Sequence, residues 1–176
     1  MVFRLCCFEF IDAADVENLW ITYRGHPAEA ITNDGSFIAG WSTYQHNGDL
    51  RFAATIWESD GALREIPMLS GYTEAKAFDI SDDGSVVVGT AFDSRYSVSM
   101  VWTEATGTIT MRDYFESFGV ILPSDLLMTG QFDISADGRT FLYIDGPAFV
   151  VTIPAPWTAI PVAFAFLAAR RRRINL

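Results

Sequence analysis

Lysine is almost absent from this chain: Lys76 is the only one. The other basic residues are arginines, and four of them stand together as Arg170, Arg171, Arg172 and Arg173. Ahead of that run, eight basic side chains face 22 acidic ones. A body so acidic repels a phosphate backbone, which excludes nucleic acid as a partner. Cysteine is equally scarce. Cys6 and Cys7 are the only two and they are adjacent, so they form no disulfide framework and read as small apolar residues. The two histidines, His26 and His46, have no partner at catalytic or metal spacing and read as loop residues. There is no Gly-x-Ser-x-Gly elbow, no phosphate loop and no Cys–His pairing. No cofactor is expected.

What is present is apolar. Half of the 176 residues are hydrophobic and 14% are aromatic, enough for a packed domain and too much for a disordered chain. The opening "MVFRLCCFEFIDAADVENLW" makes a poor secretion signal, because its apolar run stops at Glu9 with no small-x-small cleavage site after it.

The body repeats itself. "AITNDGSFIAGWS", "AFDISDDGSVVVGTAFD" and "QFDISADGRTFLYIDG" begin at Ala30, Ala77 and Gln131. Their Asp-Gly pairs lie 49 and then 54 residues apart. A second element recurs in the same order: Trp57 in "ATIWESDG" and Trp102 in "SMVWTEATG", 45 residues apart. Within a copy, "FDIS" alternates, Asp-Gly turns, "SVVVGTA" is β-branched, "SVSMVWT" alternates and "TITM" closes the unit after a Thr-Gly turn. Four strands in about 50 residues is the content of a propeller blade.

The expected fold is therefore all-β: a propeller-like array of about three four-stranded units, incomplete or open, since closed propellers need about four or more. Residues 1–29 form an N-terminal segment in which "LWITY" supplies an edge strand. The repeat domain covers 30–153, with units 30–76, 77–130 and 131–153, and the tail covers 154–176. The aromatic spacing of Tyr114, Phe115 and Phe118 predicts a short helical insertion between the second and third units. An array of this size is open, a subunit of an oligomer, or a piece of a longer propeller. The pattern "A-x-D-I-S-x-D-G-S-V-V-V-G" followed by "W-T" resembles the HAF-type repeats of bacterial surface and secreted proteins. The likeness covers about residues 28–146 and implies a propeller-like fold and no enzyme.

The tail has its own character. From Pro147 to Ala169 there is no charge, and four arginines follow. A C-terminal hydrophobic helix from Trp157 to Ala169 would be about 20 Å long, short of a bilayer core of about 30 Å unless the arginine stems snorkel. Proline motif, short apolar helix and arginine cluster together are similar to the PEP-CTERM sorting signal of Gram-negative bacteria. Pro154, Ala155 and Pro156 fall at the Pro-x-Pro position, and Arg170, Arg171, Arg172 and Arg173 at the basic end. The resemblance implies recognition by a membrane-embedded exosortase-like enzyme, at least transient membrane anchoring, and a final place in the envelope or outside the cell. An export address without a leader leads to the expectation that the chain is the C-terminal part of a longer repeat protein.

Two further sets of residues are candidates. Asp79, Asp82 and Asp83 crowd one hairpin, with Asp133 and Asp137 at matching places in the third copy. They read as turn residues, with calcium binding the competing reading. Trp57 and Trp102 read as packing residues, with a stacking platform for sugar the competing reading. A non-catalytic surface or matrix protein is preferred over a propeller enzyme, whose paired acids would have to converge from different blades at about 5–10 Å. Polysaccharide is the ligand class such a role suggests.

Overall fold

A computed structural model describes residues 28–145 and 148–154 of the chain. Cys6, Cys7, His26, the "LWITY" segment, Ala155, Pro156, the expected tail helix and the four arginines lie outside the described residues.

Three antiparallel sheets follow one another along the chain and form an open array. The first holds β1 (Ala28–Ile31), β2 (Phe37–His46), β3 (Asp49–Glu58) and β4 (Leu63–Glu65), each strand beside the next in sequence. The second repeats that meander with β5 (Glu74–Ile80), β6 (Val86–Phe92), β7 (Ser97–Thr103) and β8 (Gly107–Thr110). The third has three strands among the described residues: β9 (Phe132–Ile134), β10 (Thr140–Tyr143) and β11 (Phe149–Thr152).

Turn chemistry sets the strand ends. Gly35, Gly84 and Gly138 adopt φ of +73°, +68° and +69°, the left-handed region where a side chain is strained. Asn47 and Gly48 join β2 to β3 as a two-residue hairpin with both φ values positive.

The sheets stack by burying their faces. Val87, Met100 and Trp102 of the middle sheet pack with Ala39, Ala54 and Ile56 of the first. Val86, Val88 and Val101, one residue out of phase, pack with Phe132, Phe141 and Tyr143 of the third. The middle sheet is thus buried on both faces, which is why "VVVGTA" is a continuous apolar run and not an alternating one.

Met111–Ser117 form the helix α1, one turn upstream of where the aromatic spacing begins. Thr110 caps it: its Oγ1 accepts the Asp113 amide at 3.1 Å and donates to the Asp113 carboxylate at 2.7 Å. Met111, Tyr114 and Phe115, at i, i+3 and i+4, face the core between the second and third sheets. Phe118 falls just past the helix end and packs its edge on Tyr114 at 5.1 Å. Among the described residues no helix is long and apolar enough to cross a membrane.

Candidate functional site

The repeated carboxylates build turns and join sheets. In each Asp-Gly turn a hydroxyl two residues before the aspartate donates to it: Thr32 to Asp34 at 2.9 Å, Ser81 to Asp83 at 2.8 Å, Ser135 to Asp137 at 2.5 Å. The same carboxylate oxygen accepts the amide two residues on, from Ser36, Ser85 and Arg139. The hydroxyl oxygen in turn accepts the amide that opens the next strand, from Phe37, Val86 and Thr140. Each turn therefore satisfies its own polar groups. These bonds favour the ionised acid. Asp34 is lowered to about 2, chiefly by the Ser36 hydroxyl and amide. Partial burial raises Asp83, but the Ser85 and Ser81 bonds together outweigh it, and the net shift is downward. Asp137 is lowered first by the Ser135 hydroxyl.

The structure does not bring Asp79, Asp82 and Asp83 together on one ion. Asp83 serves its own turn. Asp82 reaches back to the first sheet and accepts the Asn33 amide at 2.9 Å and its side-chain amide at 2.6 Å. Asp79 reaches forward and accepts the Ile134 amide at 2.7 Å, while its other oxygen accepts the Ile80 amide at 2.8 Å. Burial raises the Asp79 pKa, and Asp133 nearby adds to it. The Asp82 amide also donates to the Ala136 carbonyl at 2.9 Å. The crowding of acids in one hairpin thus reflects three outgoing directions: into the turn, back one sheet and forward one sheet. Among the described residues no group of three or more His, Cys, Asp or Glu is arranged for a metal.

The recurring tryptophans lie in the interior. Trp57 is 1% exposed and Trp102 is 6% exposed, so neither presents a ring face to a ligand from solvent. Trp102 packs between the first and second sheets with the Arg64 guanidinium 5.0 Å from its ring centre. Trp57 is paired with Ile38 and Leu63 on the opposite face of β3 from Ile56, which faces the second sheet. Of the candidate sorting residues the structure describes Pro154 alone, which follows directly on the buried Ile153. Of the two histidines it describes His46, exposed at the end of β2 beside the Asn47 side chain.

A cleft of about 530 Å³ opens between the second and third sheets, at the end of the strands away from the Asp-Gly turns. The β6–β7 hairpin supplies Phe92, Asp93, Arg95 and Tyr96, and β5 supplies Lys76 and Phe78. The segment before β9 supplies Thr129, Gly130 and Gln131, with Asp145 beside them. Asp93 accepts the Arg95 amide at 2.7 Å and the Tyr96 amide at 2.8 Å, bonds that hold its carboxyl below the usual range. Asp145 accepts the Gln131 amide at 2.7 Å. Lys76 stands among rings, its Nζ 4.4 Å from the centre of Phe52, 4.5 Å from Trp41 and 5.7 Å from Phe92. No sequence motif marks this cleft, because its walls come from four separated segments.

No family model matches the chain, and no curated protein matches it. Among solved structures, the crystal structure of TolB from Acinetobacter baumannii aligns with a TM-score of 0.43 at 14% identity. The alignment covers 76% of this chain and 34% of that one, so the chain spans about a third of that protein's length.

Proposed function

We propose that this chain is a non-catalytic β-repeat protein of the HAF-like, propeller-type kind, sent to the envelope or the extracellular matrix by a PEP-CTERM-like tail. In this reading its three sheets are successive blades of an open propeller arc. The tail engages the membrane and an exosortase-like sorting enzyme, and the acidic body has a structural or binding role outside.

One observation carries the reading: the last buried residue among those described and the first residue of the tail motif are neighbours. Ile153 is 4% exposed, and its amide donates to the Arg139 carbonyl at 2.9 Å. The Arg139 guanidinium returns a bond to the Ile153 carbonyl at 3.1 Å. Pro154 follows at once and opens "PAPWTAIPVAFAFLAARRRR". An apolar helix backed by arginines halts translocation by charge and leaves what precedes it outside. Among the described residues, the last buried one therefore stands directly before the Pro-x-Pro segment.

Processing of the tail tests this. The chain is expressed from its own gene in its host, and the mass of the body's C-terminal peptide is measured in the wild type and with Arg170–Arg173 replaced by alanine. The expected result is loss of the tail beyond Pro154 in the wild type and its retention in the alanine form. An intact, unmodified Leu176 terminus in all wild-type material, with the same result in the alanine form, would remove the sorting reading.

A further inference from the structure

We propose that the cleft between the second and third sheets is a binding site for a neutral saccharide. The two sheet–sheet interfaces differ position by position. The Asp-Gly pairs place β2 in register with β6 at a spacing of 49, and the tryptophans place β3 in register with β7 at 45. By that register Trp41 corresponds to Thr90, Phe52 to Ser97 and Ala54 to Ser99. The second and third copies align at a spacing of 54, so Lys76 corresponds to Gly130.

Between the first and second sheets these positions are filled. Trp41 and Phe52 lie under the Lys76 ammonium at 4.5 and 4.4 Å, and Phe78 meets the Trp41 ring edge-on at 6.1 Å. Between the second and third sheets the same positions hold small residues, and their hydroxyls turn to the backbone. Ser99 donates to the Gly130 carbonyl at 2.6 Å, Thr90 to the same oxygen at 3.4 Å, and Ser97 to the Thr129 carbonyl at 3.3 Å. Tryptophan, phenylalanine and lysine have given way to threonine, serine and glycine at three matching positions. At Gly130 the Asp145 side chain takes the place of a Cβ, and beside Thr90 and Ser97 a cleft of about 530 Å³ remains, within the roughly 300–1,000 Å³ of ligand sites. Packing is normally dense at such an interface, so an opening made where two large rings give way to Thr90 and Ser97 has the form of a built site.

The lining selects the ligand. Phe78 and Phe92 give apolar walls, and Tyr96, 69% exposed, stands at the rim as a ring on which a pyranose face can lie. Lys76 and Arg95 balance Asp93 and Asp145, so the site has no net sign to favour an anion or a cation. The two carboxylates are held in place by backbone amides, each through one oxygen. With the Gln131 side-chain carboxamide and the Arg95 guanidinium, the cleft mixes donors and acceptors over an aromatic surface. A polyhydroxylated, uncharged ligand uses all of these.

The inference rests on the binding role proposed above, but binding by purified protein does not depend on export. Protein that binds sugar yet stays inside the cell would overturn only the location. The full chain is titrated by calorimetry with cellohexaose, maltohexaose and chitohexaose, and with oligogalacturonate as the charged comparison. The account expects saturable binding of at least one neutral hexasaccharide and none of the charged one. Tyr96→Ala weakens it tenfold or more. Ser97→Phe, which restores the residue type present in the filled interface, does the same with a melting temperature at or above that of the wild type. Tyr96 is exposed, so its variant carries the test even where Ser97→Phe does not fold. Binding of the charged oligomer only, binding of none of the four, or wild-type affinity in Tyr96→Ala overturns the proposal.

Discussion

The ring of Phe37 lies over Gly84, the turn glycine that follows Gly35 by one repeat of 49 residues. A Cβ built on that glycine would stand 2.9 Å from two of the ring carbons. The same relationship recurs one step on, where a Cβ on Gly138 would stand 3.1 Å from Val86 Cγ2. The residue that opens the second strand of the first and of the second sheet thus packs on the turn glycine of the next sheet. Gly35 has the same φ but nothing within 4 Å of a Cβ. Alanine scanning separates the two demands. Gly35→Ala costs only the left-handed backbone strain, about 1–2 kcal/mol. Gly84→Ala adds displacement of Phe37, roughly 1–3 kcal/mol more, with Gly138→Ala between them. Urea unfolding of the three variants checks the order, and equal losses would mean that the ring contact is not maintained.

Asp79 links the second and third sheets through the Ile134 amide, so its removal is felt locally. Asp79→Ala leaves the Ile80 and Ile134 amides without their acceptors, at a cost of about 1–3 kcal/mol. Hydrogen exchange rises in β9 and β10 before it rises in β2 and β3. A uniform rise over all three sheets would contradict the placement.

The acids divide by pH behaviour. Asp34, Asp83 and Asp137 are held below the ordinary 3.8, so the stability they contribute is present above that value and is lost as pH falls through it, toward about 2 for Asp34. Asp79 is raised, so its sign is opposite: its ionisation opposes folding, and that penalty is relieved as the pH falls through its raised value. Carboxyl carbon shifts followed by NMR place Asp34 as the lower titration and Asp79 as the higher. Reversal of that order would break the assignment of turn acid and clasp acid.

Lys76 is anchored by rings. Replacing it with methionine keeps the stem and removes the charge, and costs about 1 kcal/mol through the lost cation–π contacts. In a Trp41→Leu background the same change costs measurably less. Additive losses in this double-mutant cycle would show that the ammonium and the Trp41 ring do not interact.

Much of the architecture was written in local signals. Asp-Gly pairs followed by β-branched runs announce hairpins because only glycine takes the turn's φ without strain, and "SVVVGTA" announces a strand whatever surrounds it. The helix was legible in Tyr114 and Phe115, and its start at Met111 becomes clear from Thr110 and Asp113, a capping pair that the aromatic spacing passes over. The Asn47-Gly48 hairpin is an equally plain signal, though it lies outside the repeated elements. The destinations of the acids were not legible. Asp79, Asp82 and Asp83 look alike in sequence, and only the stacking of sheets sends one forward, one back and one into its own turn. The cleft was hidden for the same reason: Thr90, Ser97 and Gly130 are unremarkable until the register sets them against Trp41, Phe52 and Lys76.

Location is the most direct test of the account as a whole. The host is fractionated with an antibody raised against the folded body, for the wild type and for a chain ending at Ile153. The account predicts wild-type protein in the envelope or medium, and a changed distribution when residues 154–176 are removed. Wild-type and shortened chains found together in the cytoplasm would contradict it.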